Sequence, residues 1–163
     1  MFQQHSARQH HERQGAETMK LDALKEILYY LVGKLHDVHK ELGPGLNEYV
    51  YQEGLEIELK SQSLPFEREK ELHPMYRGVE LSATYRMDFV FMNNVIIECK
   101  AVSKINSEHR AQLFNYMRLT KLRAGILVNF APRFMEIERY FYDADSNEIL
   151  TFDGKTFTNL NQE

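Results

Sequence analysis

Three ionisable side chains interrupt an otherwise apolar stretch: Asp88, Glu98 and Lys100 lie within YRMDFVFMNNVIIECKAV, residues 85–102. The stretch has the composition of two strands joined by a turn, each apolar enough to be buried, where an isolated charge is costly. Strand side chains alternate between faces. Arg86, Asp88, Val90 and Met92 are expected on one face, with Met87, Phe89 and Phe91 on the other. In the second strand Ile96, Glu98 and Lys100 oppose Val95, Ile97, Cys99 and Ala101. One side is then wholly apolar and belongs to the core, and the other collects the charges.

Register decides whether those charges meet, because directly opposed residues of an antiparallel pair project to the same face. A two-residue Asn93-Asn94 loop would pair Asp88 with Cys99 and send the acids to opposite faces. A three-residue loop, Met92 to Asn94, pairs Asp88 with Glu98 and keeps the apolar partners together. Asn94, at its last position, suits the left-handed backbone that such loops need. Burial of one face drives the register, so the odd-length loop is expected. Asp88, Glu98 and Lys100 then converge in a common wet pocket.

Two carboxylates a few ångströms apart repel, and sharing a hard cation relieves the repulsion. Mg²⁺, with Mn²⁺ as a substitute, takes one or two protein carboxylates, several waters and a phosphate oxygen. Such an ion lowers the pKa of bound water and shields charge building on a phosphoryl group. A nearby lysine could orient or deprotonate the attacking water, or stabilise pentavalent phosphorus. The same residues also admit a structural account, a cross-strand cluster in which Lys100 neutralises the acids. Asp-x9-Glu-x-Lys does not by itself decide between the two.

The surrounding chain sets bounds. At 163 residues and 43% apolar it can bury one domain's core. Residues 1–17 are polar without an apolar period and are expected to form a disordered arm. His5, His10 and His11 lie there, with nothing to pre-organise them as metal ligands. No apolar run approaches the roughly 20 residues of a membrane span, and no signal-peptide core is present. The single cysteine, Cys99, cannot form an intramolecular disulfide. A cytoplasmic protein is expected. The net charge of −4 argues against non-specific coating of nucleic acid, although residues 100–140 carry eight Lys/Arg against three Glu. That local excess could face phosphate or form a solvated helix surface.

Several elements must position the charged cluster. Leu21 to Leu42 repeats apolar residues at helical spacing and ends at Gly43-Pro44-Gly45. A second helix is expected from about Glu48 to Ser61, and strands near 66–72 and 76–82 with a turn at Arg77-Gly78. A third helix spans about Ser107 to Lys121, with Ser107 as its N-cap. The run at 124–131 reads as a buried strand and IERYFYDA as an edge strand. Asp153-Gly154 signals a tight closing hairpin. The expected fold is α/β, a mixed central sheet flanked by helices.

Further residues add to this pattern. Gly45-Leu46-Asn47-Glu48-Tyr49-Val50-Tyr51 matches the naming motif of the GxxExxY proteins, a branch of the PD-(D/E)XK nuclease superfamily, and follows VHKELGPG in the expected place. YRMDFVF resembles the superfamily's aspartate strand, and Glu98-Cys99-Lys100 its E-x-K. Gln112-Leu113-Phe114-Asn115-Tyr116 is similar to the Q-x-x-x-Y helix of RecB-like nucleases. The resemblance covers roughly residues 25–140, and it departs at the leading proline, where Met87 stands. It implies a restriction-endonuclease-like core in α-β-β-β-α-β order within residues 18–142, followed by a C-terminal β-hairpin extension over 143–163.

The resemblance also implies roles. Asp88 and Glu98 would hold the metal and Lys100 would assist the water. Glu48 would reach the metal as a further carboxylate; as an ordinary residue it would serve helix-start electrostatics. Gln112 and Tyr116, four apart and on one helix face, would border the site, contacting phosphate or holding the lysine. Arg86 could meet phosphate or pair with Glu98, and Arg110 and Arg118 are candidate backbone contacts. Tyr51 fits a core stripe, and His36, His39 and His109 fit helix-surface or capping positions.

These expectations describe a Mg²⁺-dependent phosphodiesterase acting on DNA or RNA. The competing reading is a binding module, for nucleic acid or protein, that keeps the fold without turnover. A third is a dimerising or regulatory domain whose charges only stabilise. Nucleases of this size also gain reach as homodimers or through an accessory DNA-binding partner, and no interface signal marks either here.

Overall fold

The computed structural model describes residues 20–153 and 157–159. The expected arm at 1–17 and the turn residue Gly154 lie outside them. Leu21–Leu42 forms α1, burying Leu24, Leu28, Leu31, Leu35 and Val38 along one stripe. Gly43 ends it at φ 76°, a left-handed value that glycine adopts without strain. Gly45, at φ 81°, completes the turn into α2, Glu48–Lys60, which packs on α1 and buries Tyr51, Leu55 and Leu59.

Strand β1 is Phe66–Leu72, followed by a small hairpin of β2, Met75–Tyr76, and β3, Val79–Glu80. Then come β4, Tyr85–Phe91, β5, Val95–Lys100, and the helix α3, Ser107–Thr120. Strands β6, Ala124–Asn129, β7, Glu136–Asp143, β8, Glu148–Phe152, and β9, Phe157–Asn159, complete the chain order. Among the described residues seven strands form one mixed sheet in the order β1-β4-β5-β6-β7-β8-β9. Among the described strands of this sheet only β5 and β6 run parallel, joined across α3, and every other pair is antiparallel.

Two apolar clusters sandwich this sheet. One joins α1 and α2 to Phe89, Phe91, Val95, Ile97, Ile126 and Val128. The other joins Leu113, Tyr116 and Met117 of α3 to Val90, Ile96 and Leu127. Helices therefore cover both faces of the mixed sheet, the expected restriction-endonuclease-like α/β arrangement.

The register is the expected one: Phe91 pairs with Val95 and Phe89 with Ile97, leaving a three-residue loop at Met92–Asn94. The positive φ angles fall at Met92 and Asn93, both 50°, instead of at Asn94. Asn94 is buried and donates to Met92 O at 2.7 Å, which fixes the turn.

Other expectations are corrected. Met87 joins the α3-side cluster and Met92 packs against the other, so alternation does not persist along β4. The switch falls around Asp88. On β1 its register neighbour Glu69 has φ 53°, and neither residue takes part in the ladder. Residues 76–82 are no strand of the main sheet; β2 and β3 pair only with each other, through a turn with Arg77 and Gly78 at φ 49° and 77°. β7 is internal, because β8 pairs along its outer side.

Helix α3 lies close to β6. A Cβ on Gly125 would meet Met117 Sδ at 2.8 Å and Leu113 Cδ1 at 2.9 Å. Gly125→Val is expected to lift α3 and cost about 1–3 kcal/mol, measured by urea unfolding; unchanged stability would contradict this packing.

Candidate active site

The β4–β5 ladder opens where the acids sit. Asp88 N–H donates to Glu98 Oε1 at 3.1 Å, and Cys99 N–H donates to Asp88 Oδ2 at 2.8 Å. Each carboxyl group thus stands in for a backbone carbonyl of its own strand, accepting an N–H from the strand opposite. These crossed bonds satisfy two buried N–H groups and fix both carboxyls against one another. Glu98 is 1% exposed, while Asp88 is partly open. The expectation that all three groups face solvent is therefore corrected at Glu98, which is closed off from it.

The electrostatics follow. Burial, then the charge of Asp88, pushes the Glu98 carboxyl well above the usual range. Burial also raises Asp88, opposed by the Cys99 N–H and the nearby Lys100. The direct interaction of the two side chains raises the Glu98 carboxyl further and holds the Asp88 carboxyl down. A proton thus relieves a repulsion that a cation could relieve instead. Burial, followed by the surrounding acids, pushes the Cys99 thiol well up, which makes it a poor nucleophile.

Lys100 extends from the end of β5, where Nζ donates to Gln112 Oε1 at 2.8 Å. Gln112 Nε2 donates in turn to the Tyr116 hydroxyl at 3.2 Å, and the Tyr116 ring packs against Tyr85. Burial and the Glu98 charge raise the Tyr116 pKa, keeping the phenol protonated. Glu48 opens α2 from the opposite face of the sheet. Burial, then the Asp88 charge, raises its pKa, and the Lys100 charge opposes this. Tyr51 holds the turn before it, donating to Gly43 O at 2.6 Å and accepting from Leu46 N–H at 3.0 Å.

Together these features describe a buried carboxyl pair, a tethered lysine and a third acid, ordered along the chain as the expected motifs require. A family model for the PD-(D/E)XK nuclease superfamily matches residues 25–140. The chain belongs to the PD-(D/E)XK nuclease superfamily. No curated protein and no solved structure matches it.

Members of this superfamily imply a divalent metal. Among the described residues, no group of three or more His, Cys, Asp or Glu is placed to hold an ion. The Asp88–Glu98 pair instead fits a hard cation that completes its shell with water and phosphate. Its donors are oxygens, and their mutual repulsion is the property a cation would relieve.

Of the residues expected here, the structure brings together Glu48, Asp88, Glu98, Lys100, Gln112 and Tyr116. Arg86 is surface-exposed and pairs with Glu71 at 3.5 Å, not with Glu98. Arg110 makes a bidentate bond to Glu138, with contacts of 2.7–2.9 Å. His109 caps its own helix, Nδ1 accepting from Asn106 N–H at 3.1 Å, and Asn106 rather than Ser107 is the N-cap. Asn106 has the side-chain carbonyl aimed at the Glu108 and His109 amides.

Three contributors escaped the sequence reading. Fully buried Asn129, next to Lys100 in the β5–β6 register, donates to Val102 O and Glu136 Oε2, both at 2.9 Å. It also accepts from Val102 N–H at 3.0 Å, while Glu136 Oε2 accepts from Ile105 N–H. Together they hold the loop after Lys100. The one available signal was an amide ending the apolar run AGILVN. Glu69, across from Asp88 on β1, adds to the negative field there.

Because the Glu98 pKa is raised on folding, the native state binds more protons between the unfolded and folded values. Stability then falls as pH rises from about 4.3 through that window. Glu98→Gln removes the charge and keeps an acceptor for Asp88 N–H. In EDTA at about pH 8 it is expected to be more stable than wild type by more than about 1 kcal/mol, with the gap closing towards pH 4. Urea unfolding at both pH values measures this, and a destabilised variant at pH 8 would contradict it.

Proposed function

We propose that the protein is a Mg²⁺-dependent nuclease that hydrolyses phosphodiester bonds of DNA or RNA, with Mn²⁺ able to substitute. The observation that carries this reading is the crossed Asp88–Glu98 pair beside a lysine tethered to Gln112, in a chain of a nuclease superfamily. Asp88 and Glu98 would hold the ion through the oxygens not committed to backbone N–H groups, with Glu48 as a further carboxylate. The metal, when bound, supplies Lewis-acid polarisation of water and of a phosphoryl oxygen.

The chain's own residues do the rest. Gln112 keeps the Lys100 ammonium at a fixed position, where it orients the attacking water and offsets negative charge developing on phosphorus. Attack in line forms one P–O bond and breaks another, leaving a phosphate end and a hydroxyl end. Tyr116 anchors Gln112. The stretch Gly45–Tyr51 supports placement among the GxxExxY proteins, and the lone buried thiol Cys99 suits the cytoplasm.

A non-catalytic binding module that retains the fold is the second reading. The pairing of Arg86 and Arg110 with acids, in a chain of net charge −4, favours it. Incubation with labelled single- and double-stranded DNA and RNA separates the two. Cleavage is expected only with Mg²⁺ or Mn²⁺, and Asp88→Asn and Lys100→Ala are each expected to lower its rate at least about 100-fold. Salt-sensitive binding without cleavage would favour the module, and cleavage that survives Asp88→Asn would overturn the assignment.

A further inference from the structure

The site opens at one end of the sheet. β5 and its parallel neighbour β6 both finish there, at Lys100 and Asn129. β4 is antiparallel to β5, so it begins at that end, with Tyr85 paired to Leu72 at the end of β1. The connection between those two residues, 73–84, therefore leaves the sheet beside the site. It is exposed almost throughout, and its β2–β3 hairpin pairs with no other strand among those described. Tyr76 and Val79 form a cross-strand pair there and are 62% and 65% exposed, with the Arg77 guanidinium 5.5 Å from the Tyr76 ring centre.

Rings are also exposed on the other side. Tyr49, next to Glu48 in the first turn of α2, is 58% exposed. Phe134, in the loop after β6, is 79% exposed, with Arg133 5.5 Å from its ring centre. Gly45 N–H donates to Ala131 O at 3.1 Å, which ties that loop to the turn preceding Glu48. Tyr85 links the hairpin to the site itself, through Tyr116 and Gln112 to Lys100.

We propose that this end of the sheet binds single-stranded nucleic acid by stacking unpaired bases on Tyr76 and Tyr85 on one side and on Tyr49 and Phe134 on the other. The proposal deepens the nuclease reading and rests on it only in calling the strand a substrate. A duplex is held mainly through its phosphates, and here Arg86 and Arg110 are occupied by Glu71 and Glu138. Exposed rings backed by a guanidinium offer what an unpaired base uses, an apolar face with a cation near the phosphate. A duplex hides its base faces and gains nothing from these rings.

The test uses the full chain in EDTA, so that binding is read without cleavage. Fluorescence anisotropy with a labelled 12-nucleotide strand and with its duplex is expected to show at least about tenfold preference for the strand. Tyr76→Ala and Phe134→Ala should each weaken strand binding roughly 5- to 150-fold and leave duplex binding unchanged. Tyr76→Trp should restore affinity, with its fluorescence quenched by the strand. Both positions are exposed, and circular dichroism confirms that the variants fold. Duplex preference, no binding of either form, or equal affinity of wild type and variants would overturn the proposal. So would concentration-dependent self-association abolished by Tyr76→Ala, which would make the hairpin a dimer contact. Strand binding with the expected variant losses, in a protein that cleaves nothing when Mg²⁺ is restored, would uphold the stacking surface and reject the nuclease reading.

Discussion

Two hydrogen bonds constrain everything around them: Asp88 N–H to Glu98, and Cys99 N–H to Asp88. They require β4 and β5 to part so that side chains replace backbone carbonyls. The cost appears locally. The β1 residue opposite Asp88 takes a left-handed conformation, β4 changes the face it presents, and a nearly fully buried glutamate is held beside a second acid. Regular pairing resumes at Phe89–Ile97 and continues to the loop, and apolar clusters on both faces offset what the opening loses. Strain and buried charge of this kind persist only where the surroundings over-determine them.

The remaining architecture keeps the groups around that pair in place. Tyr51 holds the turn that presents Glu48 and stacks on Phe130, the residue after β6. Asn129 and Glu136 hold the loop that follows Lys100. The close seat of α3 on Gly125 sets the height of Gln112 and so the position of the lysine. Each support reaches the site from a different element, so the cluster belongs to the whole fold rather than to the hairpin alone.

Much of this was legible in the chain. The strand register followed from keeping Phe89, Phe91, Val95 and Ile97 on one buried face, and the 22 residues of α1 from a simple apolar period. What was not legible depends on partners far along the sequence. Arg110 meets Glu138 across 28 residues, and Arg86 meets Glu71 across the sheet, so no local pattern reveals that either cation is taken. Met87 and Met92 exchange faces because the chain twists where pairing stops, which ideal alternation cannot anticipate. Adjacent Asn106 and Ser107 can both cap a helix, and only the geometry selects the first. β7 read as an edge because the closing hairpin reads as a separate extension, and no local pattern shows that Glu148–Phe152 pairs along β7.

Direct binding of Mn²⁺ to the metal-free protein is the most incisive measurement, because the central claim is that the Asp88–Glu98 pair is poised to exchange its proton for a divalent cation. Electron paramagnetic resonance of free Mn²⁺ should show saturable uptake at millimolar or lower concentration, strengthened by a nucleic acid strand and lost in Asp88→Asn. Failure of wild type to take up Mn²⁺, with or without nucleic acid, or uptake unaffected by Asp88→Asn, would contradict it.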